Sequence, residues 1–161
     1  MKAAILMGSD SDLPKLQPCI DTLKKLSVET TVRVMSAHRT PEIVAQFAET
    51  AAENGYGVLI AAAGGAAHLA GAVAAHTLLP VIGIPVEGGS FNGLDALLST
   101  VQMPGGIPVA TVGVGKGGAV NAALLAAEIL SATDPALRQR LAADRAARRE
   151  TVLAADANLN V

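Results

Sequence analysis

Met35-Ser36-Ala37-His38-Arg39-Thr40-Pro41 joins two runs of different character. Before it, Thr31 to Val34 reads as a strand. After it, Ile43, Val44, Phe47, Ala48 and Ala51 recur at helical spacing, and Asn54-Gly55 closes the run. Thr40 is a predicted N-cap, and Pro41 suits the first helical position. A base (His38), a fixed cation (Arg39) and a hydroxyl (Ser36) therefore fall together at a strand-to-helix turn. Backbone N–H groups and the helix dipole favour an anion at such a place.

The same alternation extends outward. Ala3 to Met7 is a short apolar strand closed by Gly8, and Val28 to Val34, Gly57 to Ala62, Val81 to Pro85 and Val109 to Val112 are four more. Helices are predicted over about Pro14 to Lys25, Pro41 to Asn54, Ala66 to Thr77 and Gly93 to Gln102. Gly113 to Gly118 leads into a fifth helix ending near Ala132. In the first helix Leu16, Ile20 and Leu23 share a face, and Pro18 is expected near the first turn. Strand and helix alternate five times, which implies an α/β protein with a parallel sheet covered on both faces. The prediction is a three-layer α/β/α arrangement, flavodoxin-like, with five strands. Residues 1–161 read as a single domain: a core over 1–132, an extra C-terminal helix over about 135–154, and a loose tail.

The composition bounds the function. Hydrophobic residues make up 51% and charged residues 16%, while aromatics are 2% with no Trp. The core must be built from Ala, Val, Leu and Ile in closely packed elements, and so apolar a chain is expected to bury surface against copies of itself. A net charge of −2 implies no general affinity for nucleic acid. The arginines Arg138, Arg140, Arg145, Arg148 and Arg149 read as a solvated or subunit-facing helix. Cys19 is the single cysteine, so no internal disulfide forms and a reducing compartment fits. No apolar run is long enough to span a membrane, and a cytoplasmic location is expected.

In sheets of this kind ligands bind beyond the carboxyl ends of the strands. Ser9, Ser11 and Asp12 follow strand one, Ser36, His38 and Arg39 follow strand two, and Gly64, Gly65 and His68 follow strand three. Neighbouring strands lie about 4.8 Å apart, so the three turns are expected to share one crevice. Asp12 reads either as a helix cap or as a ligand-binding carboxylate, and His68 either as pocket wall or as helix-start packing. His76 reads as structural. Glu87 to Asn92, a Gly-rich loop, is a lid candidate.

Four separated motifs carry a family resemblance. Met7-Gly8-Ser9-Asp10-Ser11-Asp12, Ser36 to Pro41, Ala63-Gly64-Gly65-Ala66-Ala67-His68-Leu69, and Gln102-Met103-Pro104 with Gly106-Ile107-Pro108 resemble the N5-carboxyaminoimidazole ribonucleotide mutases of purine biosynthesis. The match runs in order from about Met1 to Leu130. It implies a homo-octamer that uses no metal and no organic cofactor. It implies an isomerase that moves a carboxyl group from the exocyclic amine of the imidazole nucleotide to the neighbouring ring carbon, by decarboxylation and recarboxylation. His38 then corresponds to the catalytic proton shuttle. Arg39, Ser9 and Ser11 would hold the phosphate, and Asp12 a ribose hydroxyl. Ser36, Ala63, Gly64, His68 and Leu69 would form a dry pocket for the migrating CO2. Phe91 and Ala70 depart from the residues frequent in the family, Leu and Pro. A related branch carboxylates aminoimidazole ribonucleotide directly with CO2, but usually lacks the Gly64 to Leu69 form of the third turn.

One rival comes from Gly113-Val114-Gly115-Lys116-Gly117-Gly118, which formally fits the G-x-G-x-x-G of dinucleotide-binding oxidoreductases. That fingerprint also needs a following strand ending in an acidic residue, where this sequence predicts helix. Flavin binding lacks aromatic residues for stacking, and a phosphate-accepting receiver lacks the Asp that would end strand three.

Overall fold

The computed structural model describes residues 1–159. The order is β1 (Lys2–Met7), a 3-10 turn (Asp10–Asp12), α1 (Leu13–Lys25), β2 (Thr30–Val34), α2 (Pro41–Thr50), β3 (Tyr56–Ala63), α3 (Leu69–Ala75), β4 (Val81–Pro85), α4 (Leu94–Val101), β5 (Ala110–Thr111), α5 (Gly115–Leu130) and α6 (Pro135–Ala157). The strands form one sheet in the order β2-β1-β3-β4-β5, with every pairing parallel. This is the flavodoxin-like order, as the alternation predicts.

Side-chain alternation along β1 divides the core in two. Ala3, Ile5 and Met7 face α1 and α5, while Ala4 and Leu6 face α2 and α3. Burying a Leu, Ile or Val fully contributes roughly 1.5–3 kcal/mol, so inner side chains such as Ile5, Leu6, Leu59, Ile60 and Ile82 dominate the stability. Small residues replace aromatic bulk at the contacts. Ala119, Ala122, Ala123, Ala126 and Ala127 line the buried face of α5 and let it sit close to the sheet. Gly83 does the same under α4, where an added Cβ would collide with the Thr100 methyl group. Cys19 is buried in the α1 side of the core, and burial pushes its thiol up to about 12, so it is an inert packing residue.

Several boundaries differ from the sequence reading, each for a physical reason. Pro18 falls at the sixth position of α1 rather than near its first turn, so one helical hydrogen bond is missing there. The fifth strand shrinks to Ala110–Thr111, an edge strand paired only with β4. The C-terminal helix runs to Ala157, beyond the expected end near Ala154, and the last part of the expected tail, residues 160–161, lies outside the described residues. The arginines of α6 are paired within the chain: Arg148 with Asp144, Arg145 with Glu128, Arg149 with Glu150. After Gly113 to Gly118 the chain forms α5 and then α6, not the strand that a dinucleotide fingerprint needs. Gly118 is required by the turn itself, because a Cβ there would overlap the Gly113 carbonyl. No described helix is long and apolar enough to cross a membrane.

Candidate active site

Parallel strands end together, so the loops after β1, β2 and β3 open on the same edge of the sheet. The first loop winds on its own hydroxyls. Ser9 Oγ accepts from the Ser11 N–H (3.3 Å) and lies 2.8 Å from Ser11 Oγ. Asp12 stands at the N-cap position of α1, yet its side chain makes no capping hydrogen bond. Burial raises its carboxyl above the usual carboxylate range, and the nearby Lys15 charge partly offsets this.

The second loop is tied by two hydroxyls. Ser36 Oγ accepts from the N–H groups of His38 (3.3 Å) and Arg39 (3.2 Å). Thr40, expected to cap α2, instead turns its hydroxyl back: it accepts from the Ser36 N–H (2.9 Å) and lies 3.2 Å from the Ser36 carbonyl. A Ser or Thr hydroxyl can satisfy a nearby turn as readily as a helix end, and here the turn wins. Arg39 reaches across to the first loop, donating from Nη2 to the Gly8 carbonyl at 2.8 Å.

The third loop runs from Gly64 to His68 and needs Gly65 at φ +60. The predicted helix start at Ala66 is displaced to Leu69, and His68 occupies the N-cap position. Its ring meets that of His38 edge to face, with Nδ1 2.7 Å from His38 Nε2. Ser99 of α4 braces this loop, accepting the Ala67 N–H at 3.1 Å.

The three loops enclose a cleft of about 470 Å³. Ser9, Asp12, Ser36, His38, Arg39, Ala63, Gly64, His68 and Leu69 all line it, as the sequence predicts. Ser11 stands behind Ser9, in contact with its hydroxyl rather than in the wall. The walls also include Gly8, Ala37 and Ala66, which the sequence reading did not single out, although each adjoins a residue that it did. Ser99 was missed altogether, because only the fold brings it to the third loop. The Glu87 to Asn92 loop does not line the cleft; Lys15 Nζ tethers it through the Glu87 carbonyl at 2.6 Å. His76 lies away from the cleft, with Nδ1 3.0 Å from Glu49 Oε1. A separate cleft of about 410 Å³ lies between α5 and α6, but its Arg145 and Arg148 are already paired with Glu128 and Asp144.

The cleft thus combines hydroxyls and a guanidinium with an imidazole pair and the small or apolar residues Ala63, Gly64 and Leu69. Such a site can hold an anionic ligand and exchange a proton with it. A sequence model of the AIR carboxylase family matches residues 2–151. The chain belongs to the AIR carboxylase family. Within that family, it is 55% identical over 149 residues to the N5-carboxyaminoimidazole ribonucleotide mutase of Bacillus subtilis strain 168, covering 92% of each chain. It is 53% identical over 152 residues to the mutase of the same name from Escherichia coli strain K12, covering 94% of this chain and 90% of the relative. The crystal structure of Treponema denticola PurE superposes with a TM-score of 0.88 at 31% identity, covering 99% of this chain and 98% of that one. All three turns of the cleft fall inside the residues matched to the AIR carboxylase family.

Proposed function

We propose that this protein is an N5-carboxyaminoimidazole ribonucleotide mutase, an isomerase of purine biosynthesis. The observation that carries the reading is the position of His38. It lines the same cleft as Ser9, Arg39, Ala63, Gly64 and Leu69, in a chain 55% identical to a mutase of that name.

In this reading Arg39 and Ser9 hold the substrate phosphate by charge-assisted and hydroxyl hydrogen bonds, and Ser11 serves the same phosphate through its contact with the Ser9 hydroxyl. Asp12, left free of capping duty, accepts from a ribose hydroxyl. Protonated His38 gives its proton to the carbamate nitrogen. The C–N bond then breaks, the electron pair stays on nitrogen, and CO2 is released. Ser36, Ala63, Gly64, His68 and Leu69 keep that CO2 beside the ring, away from water that would turn it to bicarbonate. The ring carbon attacks CO2 and a C–C bond forms. Neutral His38 removes the hydrogen from that carbon, which restores the aromatic ring and the imidazolium. Atoms and protons balance across the two steps, and the reading includes no metal and no organic cofactor. His68 orients the His38 ring through the contact between them.

The reading extends to a homo-octamer working in the cytoplasm. What supports self-association is α4, where Leu94, Leu98 and Val101 stand exposed at helical spacing with Phe91 beside them. A light-scattering mass of a monomer would contradict it.

A pair of assays tests the activity. The carbamate nucleotide is supplied without ATP, and in parallel aminoimidazole ribonucleotide is supplied with excess bicarbonate. Faster turnover of the carbamate is expected. Turnover of the second mixture alone would make the protein a direct carboxylase instead.

A further inference from the structure

We infer that Ser99 is a positioning residue for the proposed reaction, because its hydroxyl fixes the third loop and with it the ring of His68 against His38. The inference rests on the mutase reading for its kinetic part, and on geometry alone for the rest.

Between the end of β3 at Ala63 and the start of α3 at Leu69, the chain has little to hold it. Gly65 is left-handed, and the His68 N–H turns back to the Ala66 carbonyl at 2.8 Å. Ala67 is buried, and its N–H donates to Ser99 Oγ, 32 residues further along. Ser99 gives its own proton to the Asp95 carbonyl at 2.6 Å, with the Gly65 carbonyl, at 3.2 Å, as the second acceptor within reach. One hydroxyl has a single proton and two lone pairs, so both bonds can be made at once. Among the described residues, no other side chain hydrogen-bonds to the backbone from Gly64 to Leu69.

A serine bonded to the carbonyl four residues back is ordinary in a helix, and that accounts for the Asp95 contact alone. The Ala67 contact is different. It ties a second element to the residue just before His68. The local sequence favours a helix starting at Ala66, yet the observed helix starts three residues later. At either helix start the Ala67 N–H falls among the first donors, which have no acceptor within the helix, and Ser99 supplies one from α4. Without that bond the buried Ala67 N–H has lost its acceptor, and a shift of the loop towards another partner would carry the adjacent His68 ring away from His38.

The test is a set of variants at one position, with turnover, KM, melting temperature and a crystal structure for each. Ser99→Ala is expected to fold, to lower kcat by about 10- to 100-fold with KM changed less than about threefold, and to open the His38–His68 contact. Ser99→Thr, whose Oγ1 can make the same bond to the carbonyl four residues back, is expected to restore both kcat and the contact. Should the Ala variant not fold, Ser99→Cys replaces it: a weaker acceptor gives a lower kcat and a longer contact. Wild-type kcat with an intact contact in Ala or Cys would overturn the assignment. So would a kcat loss matching only the unfolded fraction, or a folded Thr variant as slow as Ala. If the wild-type protein does not turn over the carbamate nucleotide, the mutase reading fails, while the crystal structures still decide the role of Ser99.

Discussion

His38 Nε2 and His68 Nδ1 lie 2.7 Å apart although 30 residues separate them in the chain. A hydrogen bond between two ring nitrogens needs one donor and one acceptor. Two fully protonated rings would both donate, so the contact admits only one shared proton. The tautomers of the two rings are therefore matched to each other.

The first prediction separates the two rings. His38→Asn is expected to lower turnover by about 10²–10⁴-fold, the usual worth of a general acid–base group, while the nucleotide still binds. His68→Asn keeps the shuttle but removes its orienting partner, so a smaller loss is expected. Steady-state kinetics with calorimetric binding checks this. Near-normal turnover by His38→Asn would remove that residue from the chemistry.

Arg39 gives the second prediction. Its guanidinium already contacts the Gly8 carbonyl, so it is held across the mouth of the cleft before ligand arrives. A hydrogen bond to a charged group is worth about 1.5–3 kcal/mol, which converts to a roughly 10- to 150-fold weaker phosphorylated ligand in Arg39→Ala. Lysine should restore only part of this, because a point charge cannot bridge the carbonyl and the phosphate as a planar fork can. Calorimetry with aminoimidazole ribonucleotide measures it, and unchanged affinity would contradict the phosphate assignment.

The fold and most of the site are legible in the sequence because both rest on local signals. Apolar runs such as Ala3 to Met7 reveal buried strands, and parallel strands bring their carboxyl ends together without further information. What is not legible depends on competition between partners. Thr40 has the identity of a cap, but its hydroxyl is claimed by Ser36. Asp12 has the identity of a cap too, and its side chain caps nothing. The Ala67 N–H, just before α3, finds its acceptor in Ser99, a residue on another helix. No local pattern encodes which of two available partners a polar group will take.

A third prediction concerns the sheet. An added methyl at Gly83 would overlap the Thr100 side chain and approach Val109 Cγ1 at 3.0 Å. Overpacking of this kind typically costs about 1–3 kcal/mol, so Gly83→Ala should lower the denaturant midpoint clearly. Thr100→Ser removes the methyl group in the way. Combined with Gly83→Ala it should recover part of the loss, giving a coupling that a simple backbone effect of glycine would not produce. Additive losses in the double variant would disprove the steric account.

The last prediction follows from Asp144 on α6. Its side chain is only 4% exposed, and it bonds Lys25 Nζ of α1 and Arg148 Nε of its own helix, each at 2.6 Å. The hydrogen bond from Lys25, then that from Arg148, hold the carboxyl below its usual range against the opposing effect of burial. A carboxylate whose pKa is lower in the folded state contributes stability above the unfolded value of about 3.9 and loses it as pH falls through the folded value. Asp144→Asn keeps the shape and removes the charge, so it should destabilise the protein near neutral pH by about 1–3 kcal/mol. Lys25 and Arg148 are well exposed and can turn to water, which keeps the cost below that of stranding a buried charge. The difference between variant and wild type should then shrink as pH drops below about 4, because the wild-type carboxyl becomes neutral as well. Urea titrations of both proteins across that range measure the convergence. A gap that stays constant with pH would mean that Asp144 holds α6 by packing and not by charge.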